Sequence, residues 1–381
     1  MVMDRRGFIK GAAAAATVVA AMRGEAGSFT VPKGEKIRSA LLHLGMNMWG
    51  GYRAPGEAVD KNLKYGKEKC TTDRELWRKL TAHMQKRHFN HAVIDLGGGV
   101  EFQSHPEITL PGSFSPQEMR DEVKRLASMG IEAIPKINFS ACHDAWLGIY
   151  GRMLSTPKYY EVVRDVIADA CEMFGGPRYV HIGLDEENLV HSEKNPMTII
   201  RRGELWWHDF DFYVKTLEKH GAQPMFFSTS AWGNDQETFY RRVPKTAIMN
   251  VGFYGSFKSR EEFMEKYAKR TGPTKYKRRV PYMFRELSER GYGIVTCVSN
   301  WVYTGDKKKY PTIPTGKDFP RDRESIAWAQ KYIASETVPE FMLGGMVAPW
   351  ANVSRAHEDF WIDGLNNFAD SCEELGWIGR E

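Results

Sequence analysis

The chain has 381 residues, 42% of them hydrophobic and 12% aromatic, so it can bury a full core and is neither disordered nor fibrous. Its five cysteines are an odd number without a CxxC pair, which argues against a disulfide framework or a zinc cluster. The formal charge of +5 is small for this length and no nucleic-acid motif accompanies the basic stretches. We therefore expect no nucleic-acid partner.

Residues 1–26 have the pattern of a twin-arginine signal peptide. The charged start Arg5-Arg6-x-Phe8-Ile9-Lys10 precedes an Ala/Val run and a small-x-small exit that ends at Ala26. The apolar run is shorter than the roughly 20 residues that span a bilayer comfortably. We expect removal of this segment, an extracytoplasmic (periplasmic or secreted) mature protein, and no stable membrane span after processing. An uncleaved anchor is the alternative.

Eight short runs rich in β-forming residues alternate with longer amphipathic stretches. The runs are residues 40–45, 91–96, 132–137, 179–184, 224–228, 247–251, 293–298 and 342–347. The helical patterns are residues 73–86, 115–130, 156–174, 204–220, 323–335 and 357–374. Clear start signals mark two of these helices, a capping box with proline at Ser115-Pro116-Gln117-Glu118 and Thr156-Pro157. The alternation predicts one α/β domain over residues 27–381, a single (β/α)₈ TIM barrel.

Three carboxylates, Asp185, Glu186 and Glu187, follow the fourth predicted strand directly. TIM barrels place their chemistry at the carboxyl ends of their strands. Two adjacent acids there can supply the proton donor and the charged group that glycosidic bond cleavage needs, and we expect their mutual repulsion to raise the pKa of one of them. The alternative is that the three acids only cap the next helix.

Aromatic residues also collect after the predicted strands. They are Trp49, Trp146, Trp232, Tyr254, Trp301, Tyr303 and Trp350. Sugar rings stack their apolar C–H faces on such planes, so this pattern is typical of a carbohydrate cleft. Asp95, Asn138 and His143 add hydrogen-bonding groups at the same rim.

A metal interpretation would gather His43, Asp95, His143 and His181 as ligands. No HxH or HExxH string supports it, and no GxGxxG string indicates a nucleotide cofactor. We therefore expect neither a metal nor a cofactor, and a carbohydrate substrate as the partner.

Four short motifs occur in order along the chain. Residues 105–109 read His-Pro-Glu-Ile-Thr, residues 130–135 read Gly-Ile-Glu-Ala-Ile-Pro, residues 179–186 read Tyr-Val-His-Ile-Gly-Leu-Asp-Glu, and residues 344–350 read Gly-Gly-Met-Val-Ala-Pro-Trp. Together they resemble the catalytic barrel of the β-N-acetylhexosaminidases, family 20 of the glycoside hydrolases. The sequence matches the family motifs well from about residue 91 to 189 and only weakly afterwards.

The resemblance implies a retaining glycosidase whose nucleophile is the 2-acetamido oxygen of its own substrate. It makes Glu186 the general acid and Asp185 the residue that orients and polarises the acetamido group. It makes His181 a buried supporting histidine and Trp350 part of the wall on which the sugar stacks. Tyr254 and Tyr303 are the candidates for a hydrogen bond to the acetamido group.

The departures from the family pattern fall on residues expected to bind the substrate more than on the acid pair. Leu184 replaces the second glycine of the signature, and Pro-Glu-Ile-Asp becomes Pro135-Lys136-Ile137-Asn138. Pro-Gly-His becomes Ala141-Cys142-His143, and Gly97-Gly98-Gly99 stands where a sugar-binding arginine is expected. Two alternatives therefore stay open, a glycosidase that acts on a non-acetamido sugar and a non-catalytic carbohydrate-binding barrel.

Overall fold

The computed structural model describes residues 34–253, 259–271, 277–300 and 320–378. The predicted signal peptide, residues 1–26, lies outside the described residues, as do Tyr254, Trp301 and Tyr303. In the described part of the chain, no helix combines the length and the apolar character that crossing a membrane would take.

Eight parallel strands close into a barrel in sequence order, and the last strand pairs with the first. They are β1 (Ile37–His43), β2 (His91–Asp95), β3 (Glu132–Lys136), β4 (Tyr179–His181), β5 (Gln223–Phe227), β6 (Ile248–Gly252), β7 (Ile294–Val298) and β8 (Met342–Val347). Each predicted run overlaps one of these strands. The predicted TIM barrel is confirmed.

Helices follow the strands around the outside of the barrel. They are α1 (Arg74–Lys86), α2 (Pro116–Ser128), α3 (Pro157–Met173), α4 (Leu189–Ser192), α5 (Glu204–Lys219), α6 (Thr229–Asn234), α7 (Gln236–Arg242), α8 (Arg260–Ala268), α9 (Val280–Glu289), α10 (Pro320–Glu336) and α11 (Glu358–Glu374). The predicted capping box opens α2, where the Ser115 side chain accepts from the Glu118 amide and the Glu118 side chain accepts from the Ser115 amide. Thr156 caps α3 as predicted.

Two stretches next to the acid cluster differ from the prediction. Strand β4 ends at His181 instead of residue 184, because Gly183 and Leu184 have φ of 72° and 67° and turn the chain out of the sheet. Residues 139–155, where no strand or helix was predicted, contain a short 3₁₀ helix at Ala145–Arg152.

The core has two parts separated by the barrel wall. A large cluster fills the space between strands and helices, and a small one, which includes Leu41, Val93, Ile134 and Met225, fills the barrel interior. At the carboxyl ends of the strands the interior becomes polar. The candidate site lies at this polar end of the barrel.

Candidate active site

Four polar side chains form one row across the ends of β1 to β4. The strand register places His43 beside Asp95, Asp95 beside Lys136, and Lys136 beside His181. We call these residues the polar row. All are essentially inaccessible to solvent. Burial of a charge is costly without a partner, and here Lys136 Nζ donates to Asp95 Oδ2 at 2.6 Å while His43 Nδ1 lies 2.9 Å from the same oxygen.

The electrostatics of the polar row follow from these contacts. Burial alone would raise the pKa of Asp95, but the charge of Lys136 and the hydrogen bond from His43 outweigh burial and hold that pKa well below its ordinary value. Burial and then the charge of Lys136 lower the pKa of His181 to about 3. His181 is therefore neutral; its Nδ1 accepts from the Gly183 amide, so Nε2 donates to Asn250 Oδ1.

The exit from β4 is built on a close contact that only glycine permits. A Cβ on Gly183 would lie 1.9 Å from Asn138 Oδ1. That oxygen accepts from the amides of Ser140 and Leu184, so it ties the loop after β3 to the exit of β4. Leu184 and Glu186 also have positive φ, a conformation that costs a non-glycine residue about 1–2 kcal/mol and is concentrated at functional sites.

Asp185 is held on one of its two oxygens. Asn138 Nδ2 donates to Asp185 Oδ1 at 3.0 Å, and His143 Nδ1 lies 3.2 Å from the same atom. Burial alone would raise the pKa of Asp185, but the charge and hydrogen bond of His143 outweigh it and lower that pKa. Asp185 is thus ionised, and among the described residues its side-chain hydrogen bonds fall on Oδ1 only.

Glu186 lies between two histidines and is 40% exposed. Its Oε2 is 3.5 Å from His143 Nε2 and 3.2 Å from His191 Nε2. Burial favours the protonated acid, but these two histidines outweigh it and place the pKa of Glu186 well below its ordinary value. Burial opposes protonation of His143 too, yet Asp185 and Glu186 raise its pKa to about 10. The expectation that repulsion raises one carboxyl pKa is wrong, because the histidines neutralise the repulsion.

Glu187 joins the two loops that carry the site. Its Oε1 accepts from the Ala141 amide at 2.9 Å and from Arg201. Arg201 is buried and also donates to Asp209, to the Tyr213 hydroxyl and to the Phe139 carbonyl. This ion-paired group fixes the loop after β3 against the loop after β4.

None of the three acids caps the next helix. Asn188 is the N-cap of α4, and its side chain accepts from the His191 amide. The alternative interpretation of the acid cluster as a helix cap is therefore wrong.

The predicted aromatic residues divide between the site and the core. Trp49 is 38% exposed and meets His143 edge to face. Trp350 is half-buried above the barrel interior, with ring centroids 5.6 Å from His43 and 6.0 Å from Phe227. Trp232, predicted to contact substrate, is instead fully buried on α6 and donates to Tyr240. The helix turns its indole inward, so this prediction needs correction.

The polar candidates also separate into two layers. Asn138 and His143 touch the acid pair directly, as expected for residues at the rim. Asp95 and His181, both counted among the predicted substrate-binding residues, lie below it in the polar row and are inaccessible to solvent. For His181 this burial agrees with its expected role as a buried supporting histidine. His43 and Asp95 are two of the four ligands that the metal interpretation would gather. In the structure Asp95 instead contacts His43 and accepts a hydrogen bond from Lys136.

The fold and this arrangement define a TIM barrel with a charged acid pair at the exit of β4. Solved structures of family 20 glycoside hydrolases share the fold. A β-N-acetylhexosaminidase from Bacteroides fragilis matches with a TM-score of 0.54 at 14% identity, over 89% of this chain and 65% of that chain. An exo-β-N-acetylglucosaminidase from Vibrio harveyi in complex with N-acetylglucosamine matches with a TM-score of 0.54 at 16% identity, over 89% and 54%.

The β-N-acetylhexosaminidase from Streptomyces coelicolor matches with a TM-score of 0.55 at 14% identity, over 89% of this chain and 64% of that chain. This chain thus spans between about half and two thirds of the length of these three structures. No protein-family model matches the sequence, and a search of curated proteins found no relative. The likeness is one of fold.

Proposed function

We propose that this chain is an exported glycoside hydrolase of the β-N-acetylhexosaminidase type, with Glu186 as general acid and Asp185 orienting the substrate's acetamido group. The observation that carries the proposal is the one-sided hold on Asp185 at the exit of β4. Asn138 and His143 engage Oδ1, which leaves Oδ2 to accept the N–H of an acetamido group. Fold likeness to family 20 structures supports the same assignment.

In this proposal the acetamido oxygen attacks the anomeric carbon while Glu186 protonates the leaving oxygen. The ionised Asp185 stabilises the positive charge that develops on the amide. Glu186 needs a proton for this step, and its partly exposed carboxyl is ionised in the free site. A sugar stacked against Trp350 would displace water from the carboxyl, and desolvation favours the protonated form.

The first test replaces Glu186 by glutamine and compares two leaving groups on one sugar. An alkyl leaving group depends on protonation, so its hydrolysis should fall by about 10²- to 10⁴-fold, whereas a nitrophenyl leaving group should lose much less. The control is His208→Ala, because His208 is exposed on α5. An equal, small loss on both substrates would remove Glu186 from the role of acid.

The second test separates the acetamido mechanism from direct attack by Asp185. Aryl glycosides with a 2-acetamido group should be hydrolysed and their 2-hydroxy counterparts should not, and a stable oxazoline mimic should bind about 10²-fold or more tighter than product. Exposure to a 2-fluoro glycoside, read by intact-protein mass, should leave no adduct. An adduct on Asp185 would identify a glycosidase with a carboxylate nucleophile, and binding of sugars without any hydrolysis would identify a carbohydrate-binding barrel.

Export rests on the sequence alone and has its own test. Replacing Arg5 and Arg6 by lysine keeps the charge but removes the guanidinium pair that the export receptor reads. We expect the precursor to remain in the cytoplasm. An unchanged yield of processed protein outside the cytoplasm would rule out the twin-arginine route.

A further inference from the structure

One ring nitrogen at the site lacks a hydrogen-bond partner. His143 is 2% exposed, and its Nε2 is buried and makes no hydrogen bond. It points towards Glu186 Oε2 at 3.5 Å, while Nδ1 of the same ring faces Asp185 Oδ1. A buried polar atom that makes no hydrogen bond costs free energy, and a ligand that displaces the proton on this nitrogen would remove that cost.

The surrounding atoms have the spacing of a metal site. One ligand atom each from His143, Asp185 and Glu186 lies within 4.8 Å of the others, and this is the only such group of three among the residues that the structure describes. In a tetrahedral zinc site with bonds of about 2.0–2.1 Å, two ligand atoms are separated by roughly 3.3 Å. The distance of 3.5 Å between His143 Nε2 and Glu186 Oε2 is close to that edge.

The atoms around the group also resemble the supports of a metal site. Ligating carboxylates are usually themselves hydrogen-bonded, and this orients them. Here Asn138 Nδ2 donates to Asp185, and His191 Nε2 lies 3.2 Å from Glu186 Oε2. One imidazole and two carboxylates leave a fourth tetrahedral position for water.

We propose that His143, Asp185 and Glu186 form a binding site for a divalent transition metal ion of the zinc class, and that the bound ion inhibits the enzyme. Imidazole and carboxylate ligands together suit zinc better than calcium or magnesium, which favour all-oxygen sites. The inhibition half of the proposal rests on the proposed hydrolase function. A metal ion bound to these carboxylates would occupy the Glu186 oxygen that must carry the proton. It would also occupy the Asp185 carboxylate that must accept the acetamido N–H.

The binding experiment uses the mature chain freed of metal with a chelator. Titration with Zn²⁺ in a calorimeter should show one site per chain. His143→Ala should weaken binding by about 100-fold or more, since removing a supporting residue alone typically costs 10- to 100-fold. Glu186→Gln, at a partly exposed position that tolerates the change in charge, should weaken it similarly. His208→Ala, on an exposed histidine of α5, should change nothing.

Co²⁺ provides a spectroscopic measurement that does not depend on activity. Bound in place of Zn²⁺, it should give the intense visible absorption of tetrahedral coordination in the wild-type chain and not in His143→Ala. Absence of one-to-one binding, or equal binding by the wild-type chain and both site variants, would overturn the metal site.

The inhibition experiment then follows hydrolysis with added Zn²⁺. The apparent KM should rise with unchanged kcat, and chelator should restore the original KM. Activation by Zn²⁺ would overturn the inhibitory role. A chain that binds Zn²⁺ at this site but hydrolyses no glycoside would refute the proposed function and leave the metal site standing, so the two failures are distinguishable.

Discussion

Replacing Lys136 by methionine should destabilise the protein in a pH-dependent way. Lys136 is fully buried and donates to the buried carboxylate of Asp95. Methionine has a similar length and no charge, so the substitution leaves Asp95 ionised in the interior, with His43 and the Gly97 amide as its neutral hydrogen-bond partners. Breaking a buried pair from one side costs about 3–5 kcal/mol of unfolding free energy. We expect that loss at pH 7 in urea unfolding followed by tryptophan fluorescence.

The sign of the pH dependence follows from the pKa of Asp95. In the wild-type chain that pKa is lowered, so the stabilisation is complete above about pH 4 and is lost only as pH falls through the lowered value. In the variant, burial without Lys136 should raise the pKa above its ordinary value. The variant then recovers stability as pH falls from 7 towards 4, by at most about 1.4 kcal/mol per pH unit. The difference between the two proteins should therefore shrink.

The double variant Asp95→Asn with Lys136→Met provides the control. It leaves no unpaired charge, so it should be more stable at pH 7 than Lys136→Met alone, and its stability relative to the wild type should vary little between pH 4 and 7. A cost below about 1 kcal/mol for Lys136→Met, or a pH-independent cost, would show that the charge pair does not govern the stability of the polar row.

Two further substitutions test the supports of the acid pair. Gly183→Ala should lower the free energy of unfolding by about 2–5 kcal/mol and lower turnover, because its Cβ would displace Asn138 from Asp185. The control Gly176→Ala, with φ of 76° and open space around it, should cost only about 1–2 kcal/mol. Equal costs for the two variants in urea unfolding would exclude the clash. Arg201→Met should lose about 3–5 kcal/mol, since two buried carboxylates lose their cation. The control Arg202→Met, at the exposed neighbouring position, should change the free energy of unfolding by no more than about 0.5 kcal/mol. A loss there similar to that of Arg201→Met would contradict the argument.

The strands and the acid pair were predictable because their signals are local. Each strand is a short apolar run bounded by turn residues, and Asp185 and Glu186 stand directly after one of them. The short helices α6 to α9 were not predicted. They have 6 to 10 residues each, and such lengths carry little periodicity. Tertiary packing determines them, as the inward-facing Trp232 of α6 shows.

The supports of the site were not predictable because their partners are distant in sequence. Lys136 reaches Asp95 across 41 positions, and Arg201 reaches Phe139 across 62. No motif marks either contact; only the register of β2 with β3 and the return of the chain after α4 create them. His191 was missed for a similar reason, since its approach to Glu186 depends on the one-turn helix α4.

The departures from the family pattern at the exit of β3 change the charge beneath the acid pair. Where the pattern reads Pro-Glu-Ile-Asp, this chain has Lys136 and Asn138, so two acids become one cation and one amide. Burial raises the pKa of Asp185 and His143 lowers it, and the charge of Lys136 adds to the lowering. Asn138 meanwhile donates a hydrogen bond to the Asp185 carboxylate. Both substitutions stabilise the Asp185 anion, which is the form that the proposed orientation of an acetamido group requires. From the sequence, these two substitutions resemble the loss of substrate-binding residues. In the folded chain they favour the ionised form of Asp185, on which the proposed chemistry depends.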